Sequence, residues 1–233
     1  TYEIPDLAKE EIDKVAKSYP IILSLQQNKK YSDLLCVPFY LNLIVSGGFV
    51  EENINDENNF RNLIWERIIC LKDKCKKYGV LQSDVRNTVE RIVFERASRF
   101  VVGVDSDIVD SDILEALKSE EIIVESRNKI RLKYDIFEDI CFERYIDKAF
   151  DVCHGSYNVF FDEIEKIGRC IYRRYQIWIS NKLFVQEARE KFVYTLLTDN
   201  SIEAKWKKQT EIGIVKSKYC GLFFKEFQEL LDE

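Results

Sequence analysis

Apolar residues recur at intervals of three and four along most of the chain, the spacing that lines one face of an α-helix. Ala8, Ile12, Val15, Ala16 and Tyr19 set out a first helix that Pro20 ends or kinks, and Ile21 to Leu25 continue as a short second one. Tyr31 to Leu35 predicts another short helix, after which Pro38 opens a strongly apolar one, FYLNLIV, that stops at Gly47-Gly48. Asn53 to Asn59 is polar and reads as a loop and a domain boundary. Beyond it, Phe60, Leu63, Ile64, Ile68 and Leu71 predict an amphipathic helix ending near Tyr78-Gly79. The next, capped at Ser83, carries Val85, Val89, Ile92, Val93, Ala97 and Val101 until Gly103 breaks it. A short helix after Ser111 turns Ile113, Leu114 and Leu117 inward.

After Ser119 the pattern changes. Ile122-Ile123-Val124 and Ile130-Arg131-Leu132 flank a polar stretch and predict a β-hairpin. Asp135 then opens a helix whose apolar face is Phe137, Ile140, Cys141, Tyr145 and Ala149, with Glu138 placed to close a capping box. Three helices followed by a two-stranded wing is the order of a winged-helix domain. From Ser156 onward the pattern is helical and rich in aromatic residues, suited to helix pairs stacked as an array or to an ordinary bundle. The expected fold is mainly α: a short helical lid over 1–52, a winged-helix domain with a small hairpin over 53–150, and a helical array over 151–233.

Composition narrows the function classes. Of the 233 residues 46% are hydrophobic and 33% charged, and Gly (8) and Pro (3) are scarce, which favours a packed helical protein over a disordered one. The net charge is −6, an argument against broad affinity for nucleic acid. No apolar run approaches the roughly 20 residues that cross a bilayer. The seven cysteines are irregularly spaced with no CxxC, and His154 is the sole histidine. Buried thiols in a reducing, cytoplasmic setting are therefore expected, with neither a disulfide framework nor a zinc site. The absence of methionine and the start at Thr1 predict that the chain is a piece of a longer protein.

Two segments resemble a known family. LLCVPFYLNLIV, Leu34 to Val45, is similar to the proline-headed lid helix of NACHT-type and related STAND signalling ATPases, where the proline packs against an adenine ring. IRLKYDIFEDICFERYI, Ile130 to Ile146, resembles the end of the winged helix in those proteins, where a strand ending in His-Asp runs straight into an amphipathic helix. Asp135 matches the aspartate, and Tyr134 stands where the family has histidine. The resemblance implies Val37, Pro38, Tyr134 and Asp135 as nucleotide-contacting residues, acting only with an upstream ATPase core in the same parent chain. It implies ATP or ADP with magnesium for that parent, signalling or defence as its role, self-assembly on activation, and a sensor ligand or partner for the array. A tyrosine hydroxyl donates one hydrogen bond without charge, so the hold on a phosphate differs from that of histidine.

No GxxxxGK[ST] loop is present, nor an apolar strand ending in paired acids, so the chain carries no catalytic residues of its own by this reading. The alternative is a winged-helix DNA-binding or protein-interaction module. Its recognition helix, DSDILEALKSEE, is acidic, although the wing carries Arg127, Lys129, Arg131 and Lys133. Arg169, Arg173, Arg174 and Trp178 form a basic-aromatic pattern that serves either as an interaction face or as stems packed on a core.

Overall fold

A computed structural model describes residues 6–27, 31, 35–46, 57–183 and 185–228. The fold is mainly α, and the chain separates into two compact units, Thr1–Arg86 and Asn87–Glu233.

The first unit is built from short helices. Helix α1 (Lys9–Ala16) opens where Glu11 accepts from the backbone N–H of Ala8 at 2.8 Å, and α2 (Pro20–Gln26) begins at the proline itself, which has no N–H to leave unsatisfied there. Helix α3 (Pro38–Ser46) starts the same way. The helix expected over Tyr31 to Leu35 and the Gly47-Gly48 stop lie largely outside the described residues. Helix α4 (Glu57–Leu63) begins inside the stretch read as loop, and the single amphipathic helix expected to reach Tyr78 does not form. Its backbone widens into a π-helical segment, Ile64–Ile69, breaks at Leu71 (φ 51°), and resumes as α5 (Cys75–Tyr78). The widened turn keeps Ile64, Trp65 and Ile69 in the core while Glu66 reaches Gln82 at 2.8 Å and Arg86 at 2.9 Å.

Helix α6 (Gln82–Arg99) starts one residue before Ser83, so that serine is helical and not the cap. It leads into the winged-helix order: β1 (Val104–Asp105), a 3-10 turn (Ser106–Ile108), α7 (Ser111–Ser119), β2 (Ile123–Ser126) and β3 (Lys129–Leu132). Asp110 caps α7, its carboxylate accepting from the N–H groups of Asp112 and Ile113. The hairpin turns on Arg127 and Asn128, both left-handed (φ 53° and 58°), the mirror-image turn that matches strand twist. The sheet order is β1-β3-β2, all antiparallel, with Ile130 opposite both Val104 and Glu125. Strand β1, which the hydrophobic pattern does not announce, sits against β3 because Gly103 permits it. A Cβ there would lie 2.9 Å from the Ile130 carbonyl oxygen.

Helix α8 (Asp135–Val152) follows β3 directly. Behind it come α9 (Tyr157–Glu165), α10 (Ile171–Lys182), α11 (Gln186–Ala188) with a π-helical continuation Arg189–Val193, α12 (Tyr194–Thr198), α13 (Ala204–Lys216) and α14 (Cys220–Glu226). Their core is aromatic: Phe160, Tyr175, Trp178 and Trp206 are at most 2% exposed, and Phe161 stacks on Trp206 with centroids 4.6 Å apart. Helices α10 and α13 approach closely at Gly213, where a Cβ would meet the Gln176 carbonyl at 2.9 Å. Cys70, Cys75, Cys141 and Cys153 lie buried in the two cores.

Candidate functional site

Helix α8 is common to two structures within the second unit. Its middle packs on α6, where Phe94 meets Phe142 (centroids 5.6 Å) and Tyr145 (5.0 Å). Its second half enters the aromatic core of the array, where Phe150 meets Phe160 (5.7 Å), Trp178 (5.4 Å) and Phe192 (4.5 Å). An 18-residue helix is about 27 Å long at 1.5 Å per residue, enough to span both packings without a hinge.

At the start of α8, ahead of both packings, lies a buried charge cluster. Glu138 is 3% exposed and accepts from Arg96 of α6 at 2.9 Å. Arg174 of α10 pairs with Asp139 of α8, and its guanidinium lies 5.2 Å from the Phe142 ring centroid. Burial pushes the Glu138 carboxyl above its ordinary range, against the opposing pull of Arg96, Arg174 and Arg131, with Asp135 reinforcing the rise. Burial likewise lowers Arg174 from its usual value, partly offset by Glu138 and Asp135. Arg96 also donates to the Val102 carbonyl at 3.1 Å, holding the start of the strand segment to α6.

The capping box expected of Asp135 and Glu138 is therefore not formed. The helix is capped by Tyr134 in extended backbone (φ −123°, ψ 136°), Asp135 is its exposed first residue, and Glu138 turns inward. The sequence does carry the signal. Glu138 stands three and four residues before Cys141 and Phe142, on the apolar stripe where a solvated carboxylate does not belong.

Tyr134 closes the strand end with its ring 39% exposed and edge-on to Phe137 (centroids 5.4 Å, 88°). The Lys133 ammonium lies 5.3 Å from that ring and pairs with Glu121 at 2.6 Å. In the first unit, Val37 and Pro38 are half-buried at the head of α3, where the Val37 carbonyl accepts from Leu41 at 3.1 Å. Behind them the Tyr40 hydroxyl accepts from Arg61 at 2.8 Å.

Of the basic-aromatic pattern, Arg169 and Arg173 are exposed, but Arg174 turns to Asp139. Trp178 is 2% exposed, and its indole N–H donates to Asp147 at 2.8 Å. The four do not share one face. Two of the four wing cations are paired, Lys129 with Asp105 (2.6 Å) and Lys133 with Glu121 (2.6 Å), Lys118 of α7 pairs with Glu125 (2.5 Å), and α7 exposes Asp112 and Glu115. Among the described residues no three His, Cys, Asp or Glu side chains gather as a metal site, and no helix is long and apolar enough to cross a membrane.

No family model matches the chain. A 97-residue stretch, 41% of the chain, is 32% identical to leucine–tRNA ligase 1 of Sulfurisphaera tokodaii, and it spans 10% of that protein's length.

Proposed function

We propose that the chain is the regulatory portion of a STAND-type signalling or defence ATPase, a non-catalytic lever that couples a nucleotide-binding core elsewhere in the same polypeptide to a helical sensor array. The observation that carries this reading is α8. It leaves the wing at Tyr134-Asp135 and continues without interruption into the aromatic core of the array, so a displacement at the strand end is delivered to the array as a rigid movement. ATP or ADP with magnesium belongs to the parent protein. Each unit by itself offers candidate contacts for such a nucleotide: in the first, Val37 and Pro38, a half-buried apolar surface lacking one backbone N–H, and in the second, the exposed Tyr134 with Asp135 at the strand end. The bound nucleotide supplies the phosphate whose loss or exchange changes those contacts. Self-assembly of released parent molecules and a ligand or partner on the array complete the proposed cycle, in a cytoplasmic setting.

Duplex DNA as the partner is disfavoured by the paired wing lysines and the acidic α7. The matching stretch of the tRNA ligase is a tenth of that enzyme, too little to bring its activity here. The test is a substitution in the parent protein. Tyr134→His restores the donor that the resemblance calls for at an exposed position, and it slows ADP release by about tenfold, the worth of one stronger hydrogen bond to a phosphate. An unchanged release rate measured with a fluorescent ADP removes Tyr134 from the nucleotide site.

A further inference from the structure

A second candidate site lies two turns further along the α6–α8 packing, in a shallow depression of about 530 Å³, open to solvent, whose walls come from α6, α8 and the turn after α9. Its lining combines three cations, Arg91, Arg99 and Lys166, with an aromatic pair, Phe94 and Tyr145, whose rings meet edge to face at 5.0 Å. Glu95 lies in the lining and the Glu163 carboxylate at its edge, 3.4 Å from the Tyr145 hydroxyl, so three cations face two carboxylates on a chain whose net charge is −6.

The ion pairs that hold these cations are exposed and weak. Arg99 meets Glu95 at 2.8 Å with its side chain 64% exposed, and Lys166 meets Glu163 at 2.5 Å with its side chain 66% exposed. Pairs of that kind are worth about 0–1 kcal/mol, so a phosphate, with more charge and three acceptor oxygens, displaces them. Arg91 donates to the Ile108 carbonyl, which ties its guanidinium to the turn after β1. Tyr145 is committed differently. Its hydroxyl donates to the Glu163 carbonyl at 2.8 Å, and burial pushes its pKa up to about 12. The ring is thus fixed and neutral, a surface for stacking and not a donor.

We infer that this cleft binds a phosphorylated small molecule bearing a flat ring, with the phosphate on Arg99 and Lys166 and the ring against Phe94 and Tyr145. Arg99 belongs to the winged-helix side and Lys166 to the array side, so such a ligand clamps the two together around α8. The inference does not depend on the proposed function, because the site is complete within this chain.

Calorimetric titration of the 233-residue chain with AMP as the probe, alongside adenosine and inorganic phosphate, tests it. AMP binds below millimolar, weakens with added salt, and exceeds both fragments by about tenfold or more. Arg99→Ala and Lys166→Ala, both at exposed side chains, each lose about tenfold. The inference is overturned by adenosine binding as well as AMP, by AMP affinity unchanged in the double variant, or by no heat at millimolar AMP. None of these results bears on whether the parent protein carries a nucleotide on its own core.

Discussion

Glu138→Gln separates two views of the buried cluster that predict opposite signs. Glutamine keeps the shape of the protonated carboxyl and removes only the charge. If pairing governs, losing one member of a buried ion pair costs about 3–5 kcal/mol. The structure favours the other view. Glu138 is 3% exposed, while its nearest counter-charge, Arg96, keeps its side chain 23% exposed and so reaches water. Arg174, the second cation, is already engaged with Asp139. Arg131 and Asp135 face the same carboxyl with opposite effects, and burial outweighs them all, raising its pKa. The folded state then binds a proton more tightly than the unfolded chain. Stability contributed by this group is full below the ordinary carboxylate value and is lost as pH rises through the raised one. Each unit of that rise favours the glutamine variant by about 1.4 kcal/mol at neutral pH. Urea unfolding followed by circular dichroism is therefore expected to find Glu138→Gln at least as stable as the unsubstituted chain at about pH 7.5, with the difference closing toward about pH 4. A loss of about 3 kcal/mol at neutral pH reverses the sign and shows that the ion pair outweighs the cost of burying the charge.

Other consequences are local. Gly213→Ala places a methyl 2.9 Å from the Gln176 carbonyl and 3.0 Å from Ile179 Cγ2, forcing α10 and α13 apart. A cost of about 1–3 kcal/mol is expected, read from the fluorescence of Trp178 and Trp206 on unfolding. Phe100 is 78% exposed in left-handed backbone (φ 55°), a conformation that costs a non-glycine residue about 1–2 kcal/mol. Phe100→Gly is thus expected to raise stability slightly, net of glycine's greater unfolded freedom, and a loss of melting temperature contradicts that.

Much of the fold is legible in the hydrophobic pattern because its strongest signals are long. The α8 helix and the aromatic helices of the array follow from periodicity over many residues, and the β2-β3 hairpin from two apolar runs around a polar turn. What escaped is short or depends on the tertiary partner. Strand β1 is two residues, made possible by the missing side chain of Gly103. The π-helical widening at Ile64–Ile69 keeps the same apolar residues inward that an α-helix would, so periodicity does not distinguish them. Glu138 carries the spacing of a capping box and the position of a core residue. The local pattern favours the first, and the arrival of Arg96 from a helix 42 residues away decides for the second. The pattern of Arg174 and Trp178 fits either an interaction face or packing on a core, and Asp139 and Asp147 of α8 decide for the core.

Whether the chain is a lever on a nucleotide-binding core is decided by comparing the intact parent polypeptide with this chain for nucleotide content and ATP hydrolysis under identical conditions. The parent is expected to purify with bound ADP or ATP and to turn over ATP, while the 233-residue chain does neither on its own. Hydrolysis by the chain alone, or a parent that neither holds nucleotide nor contains a phosphate-binding loop, contradicts that role.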